Sequence, residues 1–326
     1  MNIKSVWVWV VIAILLLTSS GISAAAMKDG KGLSSQILWS TPGPSDFPFV
    51  QSASVLSDKE LSFSVVADHY RKPLALEIDD TVYWSVKRVT AMDFSWAIGL
   101  FDRFQLGMVL PVHVEQAGVG AAPLHLSDNS SEVKNGISTA TVNDLRLHAR
   151  TVLYHQYPNT GIGGAGIALD VGLSVPIGDE DNFSGENGIV FAPTLLMDFR
   201  RSWLSAGINV GVRLRSGEKA GLANSDVGNQ LANGLGLTIH LFEEKLLISG
   251  ETNLLAEIDD FERMGLELRG ALGTTPHPSK SITIWLTASK GLANRDEPLL
   301  CVPQMRFTLG ITYTPSKKNA EEALFF

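Results

Sequence analysis

The sequence predicts an all-β chain folded as a transmembrane antiparallel up-and-down β-barrel of about 12 strands, an even number of the kind single-chain bacterial barrels carry. Three observations lead there. Long segments alternate apolar with small or polar residues at period two, and short connections alternate with longer ones along the chain. An export address heads a sequence that otherwise has no apolar run long enough for a spanning helix.

The clearest alternating stretch is Gly163 to Gly178. Ala165, Ile167, Leu169, Val171, Leu173, Val175 and Ile177 fall on one face, and Gly164, Gly166, Ala168, Asp170, Gly172, Ser174 and Pro176 on the other. Globular strands cluster around 5 to 6 residues, whereas a tilted membrane strand needs roughly 9 to 11. This run is long enough to cross a bilayer. In hydrocarbon every backbone polar group must be paired by a neighbouring strand, so such strands close into a barrel.

Composition agrees. Charged residues make up 18% of the 326, below the roughly 25% usual for soluble domains. A net charge of −8 speaks against a nucleic-acid surface. Cys301 is the one cysteine, which excludes an internal disulfide framework and cysteine-rich metal sites.

Residues 1–26 read as a secretory signal peptide: Lys4 begins it, Val6 to Leu17 is apolar, and Gly21 to Ala26 offers small residues for cleavage. Residues 27–58, with Pro42, Gly43, Pro44 and Pro48, suit an irregular lead-in or a lumen plug. Residues 59–315 carry the barrel, and 316–326 a tail. Alternation begins at Leu61, Phe63 and Val65, then recurs from Asp93 to Leu100 and, after a turn at Asp102–Arg103, from Phe104 to Glu115. Residues 117–143 read as a long loop. Strands follow at 145–154, 163–178, 188–200, 204–215, 231–241, 246–257, 263–274, 281–290 and 304–313. Phe101, Phe104, Tyr154, Tyr157, Phe199, Trp203, Phe242 and Tyr313 gather beside the short turns, as an interfacial aromatic girdle requires. With long loops extracellular, both chain ends are expected on the periplasmic side.

Several blocks resemble the barrel half of the outer-membrane protein A superfamily, in its large multidomain envelope type: VADHYRKPLAL (66–76), WAIGLFDRFQLGMVLPVHVEQAG (96–118), NDLRLHARTVLY (143–154), LSVPIGDEDNFSGENGIVFAPTLLMDFR (173–200) and FTLGITYTP (307–315). The resemblance implies a porin-like outer-membrane barrel of a Gram-negative envelope. The acidic repeats and peptidoglycan-binding domain common in that family have no counterpart after Pro315, so peptidoglycan anchoring is not implied. Phe307 to Tyr313 also resembles the last-strand signal read by the barrel-assembly machinery, with Gly310 and a closing aromatic at Tyr313 or at Phe326. Expected partners are outer-membrane lipid and that machinery.

The polar face of the strands supplies the candidate site. Glu115, Arg146, His148, Arg150, Asp170, Arg213, Arg215, Glu267, Arg269 and Arg306 are expected to line the lumen, with Asp93, His113 and Glu251 on the same face. Such charges either line an aqueous path and set its ion preference or pair across strands and close it. Glu115, Arg146 and Asp170 fall on consecutive strands, so pairing is available. His113 and His148 would make a metal pair only if their strands align, and Asp179, Glu180 and Asp181 suit calcium less well than a solvated loop. No cofactor is expected. No serine motif accompanies a histidine on the lipid-facing surface, so the sequence does not read as an enzyme. The expected activity is passive passage of ions or small polar solutes; the alternative is a closed or plugged barrel with a structural or partner-binding role.

Overall fold

The computed structural model describes residues 32–78, 81–120, 137, 140–156, 164–217, 220–222, 225–276, 281–293 and 302–315. Residues 1–26, read from the sequence as a signal peptide, the 316–326 tail and most of the 117–143 loop lie outside them. The strands are β1 (Leu61–Ile78), β2 (Thr81–Leu100), β3 (Phe104–Ala117), β4 (Thr141–Val142), β5 (Leu145–Gln156), β6 (Gly164–Val175), β7 (Val190–Arg201), β8 (Leu204–Arg215), β9 (Ala220–Leu222), β10 (Ser225–Val227), β11 (Gln230–Leu241), β12 (Leu246–Glu257), β13 (Met264–Thr274), β14 (Ile282–Ala293) and β15 (Met305–Tyr313). Thirteen share one sheet, and the short β9–β10 hairpin stands apart. Apart from the two-residue β4, each strand of that sheet pairs antiparallel with its neighbours, and β1 pairs with β15 from Phe63↔Tyr313 to Arg71↔Met305. That last pairing closes a 12-strand antiparallel barrel.

Closure leaves the faces as the period-two pattern requires, with the soluble-protein rule inverted. Serine, threonine, aspartate, glutamate and arginine dominate the buried residues, while Leu106, Ile208, Leu235, Leu268 and Ile311 are among many large apolar residues left exposed. An outer face of this kind suits hydrocarbon, and the paired strands leave it no open edge. Phe101, Tyr154, Phe199, Trp203, Phe242 and Tyr313 of the aromatic set are exposed beside the short turns. Tyr157 lies outside the described residues.

The first hairpin is longer than its sequence pattern indicates. Pairing between β1 and β2 continues to Ile78↔Thr81 through register shifts between Arg71 and Leu74 and between Leu74 and Leu76. Pro73 has no N–H to give the ladder, and Lys72 adopts a left-handed φ of 53°. These irregularities break the alternation by which the sequence marks a strand, and so hide this one.

Residues 32–60 form no strand and run through the barrel interior. At one mouth Ser35 N donates to Phe183 O at 2.9 Å and Asn187 N to Gly32 O at 3.2 Å. At the other, Lys59 N donates to Gly99 O at 2.8 Å and Gly99 N to Glu60 O at 2.9 Å, delivering the chain into β1. The chain ends themselves lie outside the described residues, so the expectation of both on one side is not tested at those ends. β1 starts and β15 finishes at the short-turn mouth, but the chain ahead of β1 has crossed the lumen from the long-connection mouth.

Candidate functional site

The interior is built by the inner segment and the polar faces of the strands together. Gly207 and Gly236 are register partners on β8 and β11. A Cβ at Gly207 would stand 2.8 Å from Phe47 Cε2, and one at Gly236 2.9 Å from Cδ1. The missing side chains are the space the Phe47 ring occupies. Pro42 uses Gly107 in the same way, at 2.5 Å from the Cβ position. Small inward residues, which the alternation alone reads as a polar face, are thus a mould for residues far away in sequence.

Polar anchors fix the segment's path. Phe49 N and Val50 N both donate to Glu251 Oε1, at 3.0 and 2.9 Å. Gln51 N donates to Asn209 Oδ1 at 2.7 Å, and Ala53 N to Asp198 Oδ2 at 2.8 Å. Arg150 Nη1 donates to Ser52 O at 3.0 Å, and Arg213 Nη2 to Ile37 O at 2.7 Å. Each satisfies a backbone group that a loop inside a barrel would otherwise bury unpaired, at about 1–3 kcal/mol per group.

Nine of the ten expected lumen residues turn inward, and most are paired. Asp170 accepts from His148 Nδ1 at 2.9 Å and from Arg150 Nε at 3.3 Å. Arg215 pairs with Glu186 at 3.0 Å. Arg269 lies between Glu251, at 3.0 Å, and Glu267, at 2.9 Å. Arg306 pairs with Glu267 at 3.0 Å and with Asp68. Arg146 and Arg213 have no carboxylate partner among the described residues. Both guanidiniums lie over the Trp39 ring, 5.0 and 4.7 Å from its centroid, and the His148 ring meets Trp39 edge-on at 6.4 Å.

Glu115 is the exception. Thr90 pairs with Glu115 but Ala91 with His113, so β3 carries one extra residue there. A bulge of this kind reverses the alternation beyond it. Glu115 consequently lies on the outer face, half exposed, in an ion pair with Arg88 at 2.8 Å. Its expected pairing with Arg146 and Asp170 does not form. Gln116 turns inward instead, donating to Thr141 and to Asn182 O.

His113 and His148 do not meet. His113 bonds to Asn143, Gln116 and Ser184, whereas His148 pairs across from Gly107, six residues along β3 from His113 and so about 20 Å distant. Among the described residues no group of three His, Cys, Asp or Glu side chains forms a metal-sized cluster. Asp144, between β4 and β5, accepts from Gly178 N at 3.0 Å and Glu186 N at 2.8 Å, tying the β6–β7 connection over the mouth. Burial raises its carboxyl above the usual range, and those two bonds oppose the rise.

Two of the cavities among the described residues lie against the inner segment. One of about 90 Å³ is lined by Trp39, Phe49, His148, Arg213, Asn253 and Glu267 among others. A second of about 40 Å³ lies between residues 40–49 and a row of hydroxyls that includes Ser64, Thr287, Thr308 and Thr312. Phe49 is the residue common to both linings, and its ring sits 4.1 Å from the Arg269 guanidinium carbon.

No protein-family model matches the chain, and no curated protein matches it. The COG4313 outer membrane channel from Pseudomonas putida F1 is similar in fold, with a TM-score of 0.57 at 14% identity over 81% of this chain and 98% of that one. The NanC porin aligns with a TM-score of 0.48 at 10% identity over 77% of this chain and 98% of its own. The KdgM porin aligns with a TM-score of 0.43 at 8% identity over 78% and 99%. The likeness to the first is one of architecture.

Proposed function

We propose that the chain is a passive outer-membrane channel for ions or small polar solutes, narrowed by an N-terminal segment that acts as a plug. The observation that carries this reading is the pair of cavities flanking Phe49 inside a closed barrel, whose walls mix charged and hydroxyl side chains with apolar ones. A barrel serving only as a scaffold has no need of space along its axis, and charged or hydroxylated walls suit a hydrated solute. In this reading residues 1–26 direct export and are removed, residues 27–58 are the plug, and the Phe307–Tyr313 strand is the signal for the assembly machinery. The closer affinity with the outer-membrane protein A superfamily is carried by the sequence blocks alone. No catalytic role is part of the proposal.

The second reading, a barrel closed at rest, is favoured by the density of bonds between the segment and the wall. Conductance of the refolded protein in planar bilayers, with and without residues 27–58, separates the two. Ohmic steps from the full chain support an open path. Conductance only from the truncated chain makes the segment a closed plug, and silence from both overturns the channel.

A further inference from the structure

We infer that the larger cavity is a binding site for a small organic anion, with Arg213 and Trp39 as its recognition groups. The inference deepens the channel reading by naming the class of solute, and it rests on that reading only in placing the site on the solute's route.

The starting point is a contrast among the inward arginines. Arg150, Arg215, Arg269 and Arg306 each meet a carboxylate at ion-pair distance. Arg213 meets none among the described residues: it donates one bond, to the Ile37 carbonyl, and lies over Trp39. Part of its surface remains open, and the cavity it lines is what it opens onto. Arg146, 1% exposed, stands over the same ring and gives its two recorded side-chain bonds to Gln36, while its Nε and Nη1 meet no acceptor. Asp93 and Asp144 act on Arg146 through space without an ion-pair contact, and Gln36 bonds both Arg146 and Asp93, its Nε2 donating to Asp93 at 2.8 Å.

Two guanidiniums around one indole, neither with a carboxylate at ion-pair distance among the described residues, make an electrostatically incomplete arrangement, because a buried charge is costly unless paired. The acids that line the cavity do not complete it. Asp170 is committed to His148 and Arg150, and Glu267 meets Arg269 and Arg306 through its Oε1; its Oε2 has no partner among the described residues but makes no ion pair with Arg213. Asn253, also in the lining, has a buried Nδ2 without a partner, a further donor with nothing to donate to. The missing element is thus an acceptor with negative charge, and a planar carboxylate matches the guanidinium fork. A cavity of about 90 Å³ limits the occupant to a few non-hydrogen atoms. The Trp39 and Phe49 rings favour an apolar end on it.

The test uses the detergent-solubilised full chain with trifluoroacetate and its neutral analogue trifluoroacetamide, read by fluorine-19 line broadening. Saturable broadening is expected for the anion, with the amide weaker by roughly ten-fold or more, the scale of one hydrogen bond to a charged group. Arg213→Gln should remove the preference, and Arg213→Lys should restore part of it. Folding of each variant is checked by heat-dependent gel migration. If Arg213→Gln fails to fold, Trp39→Leu, which alters the inner segment rather than the wall, is expected to weaken anion binding several-fold. Equal binding of the two probes, or anion binding unchanged in the folded variants, overturns the site. Bilayer silence with intact anion preference would overturn the channel and leave the site standing.

Discussion

Glu251, on the wall of β12, holds Phe49 of the inner segment by the backbone: its Oε1 accepts the Phe49 N–H at 3.0 Å and the next N–H, of Val50, at 2.9 Å. Its Oε2 accepts from Arg269, whose guanidinium lies over the Phe49 ring. One carboxylate therefore sets both the height of the segment and the position of the ring between the cavities. Glu251→Ala leaves two buried N–H groups without acceptors and Arg269 with one carboxylate instead of two. A loss of about 3–5 kcal/mol is expected, the usual cost of breaking a buried pair, read as the midpoint of urea unfolding. Glu251→Gln, which keeps the accepting oxygen, should lose less.

Phe49→Ala is expected to join the two cavities and raise single-channel conductance several-fold in planar bilayers, because this side chain is common to both linings. Unchanged conductance would place the narrowest point elsewhere along the segment.

Barrel closure depends on Arg306, which is buried on β15 opposite Tyr70 of β1. It pairs with Asp68 on β1 and Glu267 on β13, so it ties three strands at the point where the sheet closes. Arg306→Met should cost about 3–5 kcal/mol, since two buried carboxylates lose a partner. Adding Asp68→Asn should recover part of the loss, a coupling that a double-mutant cycle measures.

Glu115 gives the opposite expectation. Its pair with Arg88 is half exposed on the outside, and such pairs contribute less than about 1 kcal/mol. Glu115→Lys should leave the ion selectivity of the channel unchanged, measured as reversal potential across a salt gradient. A shift would mean that the bulge does not turn this residue outward.

Asp144 supplies a pH dependence. Burial raises its folded-state value, so the folded chain holds this proton more tightly than the unfolded chain does. Its contribution to stability is full below the ordinary aspartate value of about 4 and fades as pH rises through the raised value. Asp144→Asn, which cannot titrate, should flatten that part of the profile of unfolding midpoint against pH.

The sequence by itself determined the barrel, the outward face and nearly all of the inward one. Period-two alternation is a property of the strand alone, and a single face exposed to hydrocarbon leaves little freedom in register. Arg146, His148, Arg150, Asp170, Arg213, Arg215, Glu267, Arg269 and Arg306 were legible for that reason. Glu115 was misplaced because one extra residue at a bulge is invisible in the residue pattern and yet reverses everything after it. The extension of β1 and β2 past Pro73 was hidden by the same kind of irregularity. Only the tertiary structure decided which charges cancel, since pairs such as Asp68 with Arg306 join residues 238 apart in sequence. It alone decided where residues 32–60 lie, because an irregular segment carries no periodicity. The signal was present in the inward glycines, Gly107, Gly207 and Gly236, but a glycine records only that space is needed, and the occupant, Pro42 or Phe47, becomes apparent once the chain is closed around it.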